Sequence, residues 1–260
     1  MKPKIYETKI KLPHFLGDRY QVVTLPHLMS TLIEVSGAQT EQVSSQAVEE
    51  LGLNWIIIQY DVQINRMPKV YEEIRVKPYA KEFNRIFSYR EFEVYDENGE
   101  LIVYVMTVFA LMDNERKLSR IPEFVGKDYG STESRRIKRI PKPTPPENLE
   151  TAKMQQYPVR YFDIDGNFHA NNATYFEWLL DALGDEFLAT HEPMTGNITF
   201  EKEVHIDEVV DSYVDFTVDE DNQIISRHQI KVGDTTKCVA TFKWRDKDVT
   251  YKTKETPGEI

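Results

Sequence analysis

The feature that most constrains this chain is a repeated order of elements on either side of a proline-rich centre. Residues 130–150 contain S-T-E-S-R-R-I-K-R-I-P-K-P-T-P-P-E-N, in which four prolines and many charges mark a linker, extended over residues 141–146. Before it, residues 5–12 read as a short strand. Thr24 suits an N-cap and Pro26 a first helical turn. Leu28, Met29, Leu32, Ile33 and Val35 then form an apolar stripe near helical spacing, which predicts a helix to about residue 43. A second helical piece is expected over 44–51, stopped by Gly52. Strands are expected at 55–65, 72–79, 86–95 and 101–112, with D-E-N-G at 96–99 as the hairpin turn between the last two. After the linker the order recurs. A strand is expected at 154–161 and a helix capped by Asn171 or Asn172 runs to about 188. Strands follow at 198–206, 212–218, 223–232 and 238–245, with Gly233 and Asp234 as the matching turn.

In the second helix Glu177, Asp181 and Asp185 make one narrow polar stripe and nearly every other position is apolar, so the helix is mostly buried. Two copies of strand, buried helix and antiparallel strands imply an α+β architecture. A curved sheet wrapped around each helix, the geometry named hotdog, would bury both apolar faces, and other α+β arrangements fit the same order of elements. The expected divisions are 1–129 for the first half, 130–150 for the linker and 151–260 for the second half.

At 260 residues, with 40% hydrophobic and 12% aromatic side chains, the chain has material for a sizeable core without cross-links. Its single cysteine, Cys238, excludes an intrachain disulfide and a four-cysteine zinc site. The first residues lack the apolar stretch of a secretory signal and the longest apolar runs are far short of a bilayer span. The expectation is a cytoplasmic protein without membrane insertion. A net charge of −11 opposes general binding to nucleic acid or to an anionic membrane. One stretch runs the other way: Arg135, Arg136, Lys138, Arg139 and Lys142 fall within eight residues. They could dock an acidic partner or simply form a solvated basic linker.

Several chemistries have no support. There is no glycine-rich dinucleotide or phosphate loop, no G-x-S-x-G elbow and no H-E-x-x-H pair, so no cofactor or metal is expected. Asp163, Asp165 and Asn167 imitate the first ligands of a calcium loop. The sixth and twelfth positions, which need Gly and Glu, hold Phe168 and Thr174. Cys238 alternates with Ala240, Phe242 and Trp244 on one strand face, which reads as a core thiol.

The chemistry concentrates in D-I-D-G-N-F-H-A-N-N, residues 163–172, immediately before a buried helix. Asn and Asp there serve turns and caps in any protein. Two features suggest more. His169 sits beside a helix N-terminus, where backbone N–H groups favour developing negative charge. In an extended segment Asp165, Asn167 and His169 would also project to one side, where a carboxylate can orient an imidazole or carboxamide.

This motif, continued as A-T-Y-F-E-W, closely resembles the D-L-D-x-N-x-H-x-N-N-x-x-Y pattern of acyl-acyl carrier protein (ACP) thioesterases. N-E-R-K-L-S-R-I-P at 114–122 resembles that family's R-R-L-S-K-I-P, and F-E-K-E-V at 200–204 its Y-R-R-E-C strand. The resemblance implies a double hotdog and hydrolysis of the thioester between a fatty acyl group and the carrier's phosphopantetheine arm. It implies that Asp165, Asn167, His169 and Glu203 occupy the places of the family's catalytic groups, with Arg135, Arg136, Lys138 and Arg139 as candidates for carrier docking. Val204 stands where the family has a cysteine once treated as its nucleophile, so the expected mechanism is direct attack by water. Glu203, or His169 with it, would activate that water. Asn167 and the helix amides would hold the carbonyl oxygen, and Asp165 would fix Asn167 or His169. From its residues alone Glu203 would be a solvated strand residue, alternating with Glu201 and His205. The first half has His27 before its helix but no D-x-N-x-H, and the resemblance implies that it holds the acyl chain. An acyl-CoA thioesterase is the alternative, then a 3-hydroxyacyl dehydratase or a non-catalytic acyl-binding hotdog. A monomer already contains a hotdog pair, and a homodimer stays open.

Overall fold

Thr24 starts the first long helix as its sequence requires. Its hydroxyl accepts from the His27 backbone N–H, and helix α1 (Leu25–Val43) follows with Pro26 in the first turn. Of the expected stripe, Leu28, Met29, Leu32 and Val35 face inward and Ile33 is half-buried, while Leu25 adds to the buried face. The computed structural model describes residues 4–138 and 140–247.

Around α1 the first half places β1 (Thr8–Lys11), β2 (Leu53–Ile64), β3 (Glu73–Phe83), β4 (Phe87–Tyr95) and β5 (Leu101–Asp113). The short β6 (Leu118–Ser119), α2 (Glu123–Tyr129) and β7 (Thr132–Glu133) close it. The second half follows with β8 (Lys153–Pro158), α3 (Asn172–Asp181), α4 (Asp185–Thr190), β9 (His191–Phe200), β10 (Val209–Val218), β11 (Ile224–Val232) and β12 (Thr235–Asp246). The sheet order is β1-β3-β4-β5-β2-β9-β12-β11-β10-β8. The order on one side of the β2–β9 seam mirrors that on the other, so the halves are related by a pseudo-twofold through this antiparallel pair. Asp61 faces Asn197 across the seam, and Val62 faces Gly196.

The two helices pack against each other on the concave face, and one apolar core runs through both halves. It joins Leu28, Leu32, Tyr60 and Phe92 to Phe176, Leu179, Ile198 and Phe242. The linker runs over the other face. The Pro141 carbonyl accepts from Gln59 Nε2 at 2.7 Å and Asn197 Nδ2 at 2.9 Å, so it bridges the seam.

Three expectations change. The second helix does not run to 188. It stops at Asp181, turns through Gly184 at φ 94°, and resumes as α4, because only glycine takes that backbone conformation without strain. The piece expected over 44–51 is a single 3-10 turn at Val48–Leu51, ended by Gly52 at φ 69°. The strand expected at 198–206 is β9, which begins at His191 and ends at Phe200. Its pairing to both β2 and β12 holds the polar, proline-containing segment H-E-P-M-T-G-N in the sheet.

Candidate active site

Residues 160–172 form a closed loop rather than an extended segment. Asp163 is buried and its carboxylate is taken up by Arg160, at 2.7 Å from the backbone N–H and 2.6 Å from Nη2. It is therefore a brace for the loop and does not converge with Asp165 and Asn167 as calcium ligands would. Asp165 N–H donates to the His169 carbonyl at 2.8 Å, and Asn167 N–H donates to Asp165 Oδ1 at 2.8 Å. Phe168 takes a left-handed φ of 65° to make the reversal. The turn, not strand alternation, brings Asp165, Asn167 and His169 to one cavity. Asp165 thus fixes the backbone of the turn through Asn167 and His169 rather than bonding to their side chains.

The helix N-terminus is where the sequence placed it. Asn171 caps α3 by accepting from Ala173 N–H at 2.9 Å, and Asn171, Asn172 and Ala173 line the same cavity. Anion-favouring amides therefore lie beside the motif.

Glu203 lies beyond the end of β9, in a loop and not on a strand. The Lys237 carbonyl accepts from both Glu201 N–H and Lys202 N–H, which ends the regular ladder. Three further bonds hold the loop: Ala170 N–H donates to the Val204 carbonyl at 2.8 Å, Val204 N–H donates to the Tyr175 hydroxyl at 2.9 Å, and Lys237 Nζ donates to the Glu203 carbonyl at 2.8 Å. The Glu203 carboxylate is thereby presented to the motif, with Oε2 at 3.2 Å from His169 Nε2. Val204 is fully buried in the core and does not line the cavity.

Burial and, next to it, the Arg116 cation hold the His169 imidazole below its ordinary value. Arg116 stands in the turn after β5. It forms an ion pair with Glu203 and its Nη1 lies 3.3 Å from His169 Nε2. The His205 ring packs edge-on against His169 at 5.2 Å.

The cavity that these groups face has a volume of about 920 Å³. Its apolar walls come largely from the first half, with Met29 and Ile33 of α1, Trp55 and Ile57 of β2 and Phe109 of β5. The site is therefore built across the seam between the halves. His27 is not part of it. It bonds through Nδ1 to the Leu16 carbonyl at 2.9 Å and lines a second cavity of about 480 Å³.

Two family models cover most of the chain: the acyl-ACP thioesterase N-terminal domain matches residues 3–129, and the C-terminal domain matches residues 146–246. The chain belongs to the acyl-ACP thioesterase family. Its fold is the double hotdog of that family. A structure from Lactobacillus plantarum, provisionally named an oleoyl thioesterase, superposes with a TM-score of 0.90 at 30% identity over 95% of this chain and 98% of its own. The 12:0-ACP thioesterase of Umbellularia californica has the same fold, with a TM-score of 0.83 at 19% identity over 94% of each chain. The chloroplastic oleoyl-acyl carrier protein thioesterase 2 of Arabidopsis thaliana is 24% identical over 235 residues, 85% of this chain. The chain spans 56–62% of the length of three such plant acyl-ACP thioesterases.

The structure brings Asp165, Asn167, His169 and Glu203 to one cavity. Of the basic cluster, Arg135, Arg136 and Lys138 are exposed, and Arg139 lies outside the described residues. Three groups escaped the sequence reading. Arg116 sits inside the N-E-R-K-L-S-R-I-P stretch, but nothing marked it out from its neighbours. Tyr175 is the tyrosine that ends the motif, and its hydroxyl has a positioning task. Lys237 carries no spacing signal at all. Among the described residues no helix is long and apolar enough to cross a membrane.

Proposed function

We propose that this chain hydrolyses fatty acyl-ACP thioesters and releases free fatty acid, with water as the nucleophile. The observation that carries the reading is the approach of Glu203 Oε2 to His169 Nε2, 3.2 Å apart on a cavity with an apolar wall. The acyl chain lies along Met29, Ile33, Trp55 and Phe109, and the thioester meets the motif loop. Glu203 takes a proton from water as the water oxygen bonds to the carbonyl carbon. Asn167 and the first amide of α3, that of Asn172, stabilise the oxyanion, at the end of the helix that favours negative charge. The intermediate then expels the phosphopantetheine thiolate, which receives the proton held by Glu203. General-base help of this kind contributes about 10²–10⁴ in rate.

Thiol nucleophiles do not fit this site. Val204 is buried, and Cys238 is enclosed in the core with its thiol pushed well up by burial. Exposed Arg135, Arg136 and Lys138 suit an acidic carrier protein. The test compares one acyl group on ACP and on CoA with a chromogenic thiol assay. Faster release from ACP supports the reading. Equal or faster release from CoA makes the chain an acyl-CoA thioesterase. An enoyl product without free thiol from a 3-hydroxyacyl carrier makes it a dehydratase, and no turnover of any of these substrates leaves an acyl-binding protein.

A further inference from the structure

Arg116 is held by a turn of its own. Asp113 Oδ1 accepts from Glu115 N–H and Lys117 N–H, both at 2.9 Å, and Arg116 adopts a left-handed φ of 63°. A non-glycine residue in that conformation is strained, and such strain gathers at functional sites. The turn belongs to the first half, yet its guanidinium crosses to the second half and ends on Glu203 and His169. Glu203 Oε2 is closed off from solvent, where an unpaired carboxylate would take up a proton and cease to be a base.

We infer that Arg116 is a positioning residue that presents Glu203 as the ionised base and leaves His169 as its neutral partner. This rests on the hydrolytic reading above and decides between the two candidate bases within it. A guanidinium keeps its proton, so it can only donate. An imidazolium at His169 Nε2 would set two cations 3.3 Å apart. Glu203 gains from the same cation. The other charged or titratable groups around the pair do not replace it. Asp165 and His205 face His169, and Lys237 Nζ is spent on the Glu203 carbonyl and on Glu208. Glu34 of α1 and Glu201 line the same cavity and add negative charge, which opposes ionisation of Glu203, while Lys202 joins them with no ion pair to Glu203 among the described residues.

The test is the pH profile of kcat/KM for thiol release by the full chain, comparing wild type with Arg116→Gln and Arg116→Lys. In Arg116→Gln the midpoint of the acid limb is expected to rise by about 1–2 pH units. At a pH below both midpoints kcat should fall about 10–100-fold, with KM changed less than threefold and activity partly restored toward pH 9. Arg116→Lys should keep the limb near wild type. An unmoved acid limb in Arg116→Gln overturns the inference, as does a loss confined to KM, which would make Arg116 a substrate contact. Thermal melts check that both variants fold, as expected for a half-exposed turn residue. Glu203→Gln is run beside them. If it keeps the wild-type rate, the hydrolytic site itself is misassigned. If it is inactive while Arg116→Gln has the wild-type profile, the inference about Arg116 fails alone.

Discussion

His169 Nε2 lies 3.2 Å from Glu203 Oε2, although one residue follows a left-handed turn and the other follows the end of a strand. Neither element would bring them together alone. The Ala170–Val204 backbone bond ties the two segments, and the Tyr175 hydroxyl fixes the second of them. The pair therefore acts through placement that survives loss of either side chain. Glu203→Gln is expected to lower kcat by about 10²–10⁴ with little change in melting temperature. Asn167→Ala and His169→Ala should each lower kcat by tenfold or more. Steady-state thiol release on purified variants measures this, and full activity in Glu203→Gln would remove the carboxylate from the chemistry.

Cys238 gives a second expectation. Its side chain is 0% exposed and burial pushes its thiol well above the ordinary range. Only a thiolate reacts with alkylating reagents at a useful rate. Native protein should therefore resist iodoacetamide, keep its rate after exposure to it, and show no reaction with a disulfide reagent until denatured. Rapid labelling with parallel loss of activity would contradict the cysteine-free mechanism.

Much of the fold was legible because its signals are local. Thr24, Pro26 and the stripe from Leu28 to Val35 mark α1, and D-E-N-G marks the β4–β5 turn, where Gly99 has φ 83°. The motif of residues 163–172 was legible as chemistry but not as shape. The bond from Asn167 N–H to the Asp165 carboxylate turns it back on itself, and alternation along a strand does not apply. The limits of β9 were not legible, since its stability comes from distant strands on both sides and its own residues have little strand character. E-K-E-V-H alternates and so reads as strand through Glu203. The two N–H groups sharing the Lys237 carbonyl, which end that strand, have no trace in the sequence. Arg116 shows the same limit. Its partners are distant in the chain, and only the fold brings the first half's turn to the second half's carboxylate.

The seam between the halves makes its own prediction. Gly196 faces Val62 across the seam and Phe242 on its other side. A Cβ at this position would lie 2.8 Å from Phe242 Cε1, closer than packed carbon atoms approach. The Phe242 ring is fully buried, with His228 and Trp244 against it, so it has little room to give way. Gly196→Ala should destabilise the fold by about 1–3 kcal/mol, as overpacking does in a dense core. Urea unfolding would show this as a lower midpoint at unchanged slope. An unchanged midpoint would mean that the ring relaxes freely.

His228 links stability to pH. The side chain is 0% exposed, and its Nε2 lies 2.7 Å from Ser226 Oγ, which also accepts from Trp244 Nε1 at 2.7 Å. Burial pushes the imidazole down from 6.5 to about 3 in the folded state. The sign follows from proton binding. Below pH 6.5 the unfolded chain takes up a proton at this residue and the folded chain does not, so stability is fully present above 6.5 and is lost as pH falls toward 3. Each pH unit within that window costs up to about 1.4 kcal/mol. The useful part of the window lies above pH 5, before most carboxylates titrate. Urea unfolding at pH 7 and pH 5 should therefore show a loss of about 1–2 kcal/mol in wild type. His169, also held low, adds to that loss, so the contribution of His228 is read as a difference. In His228→Gln, whose side chain does not titrate, the loss between the same two pH values should shrink by at least half. The comparison uses slopes because the substitution also disturbs the contact with Phe242. An equal loss in both proteins would show that His228 takes up its proton without unfolding.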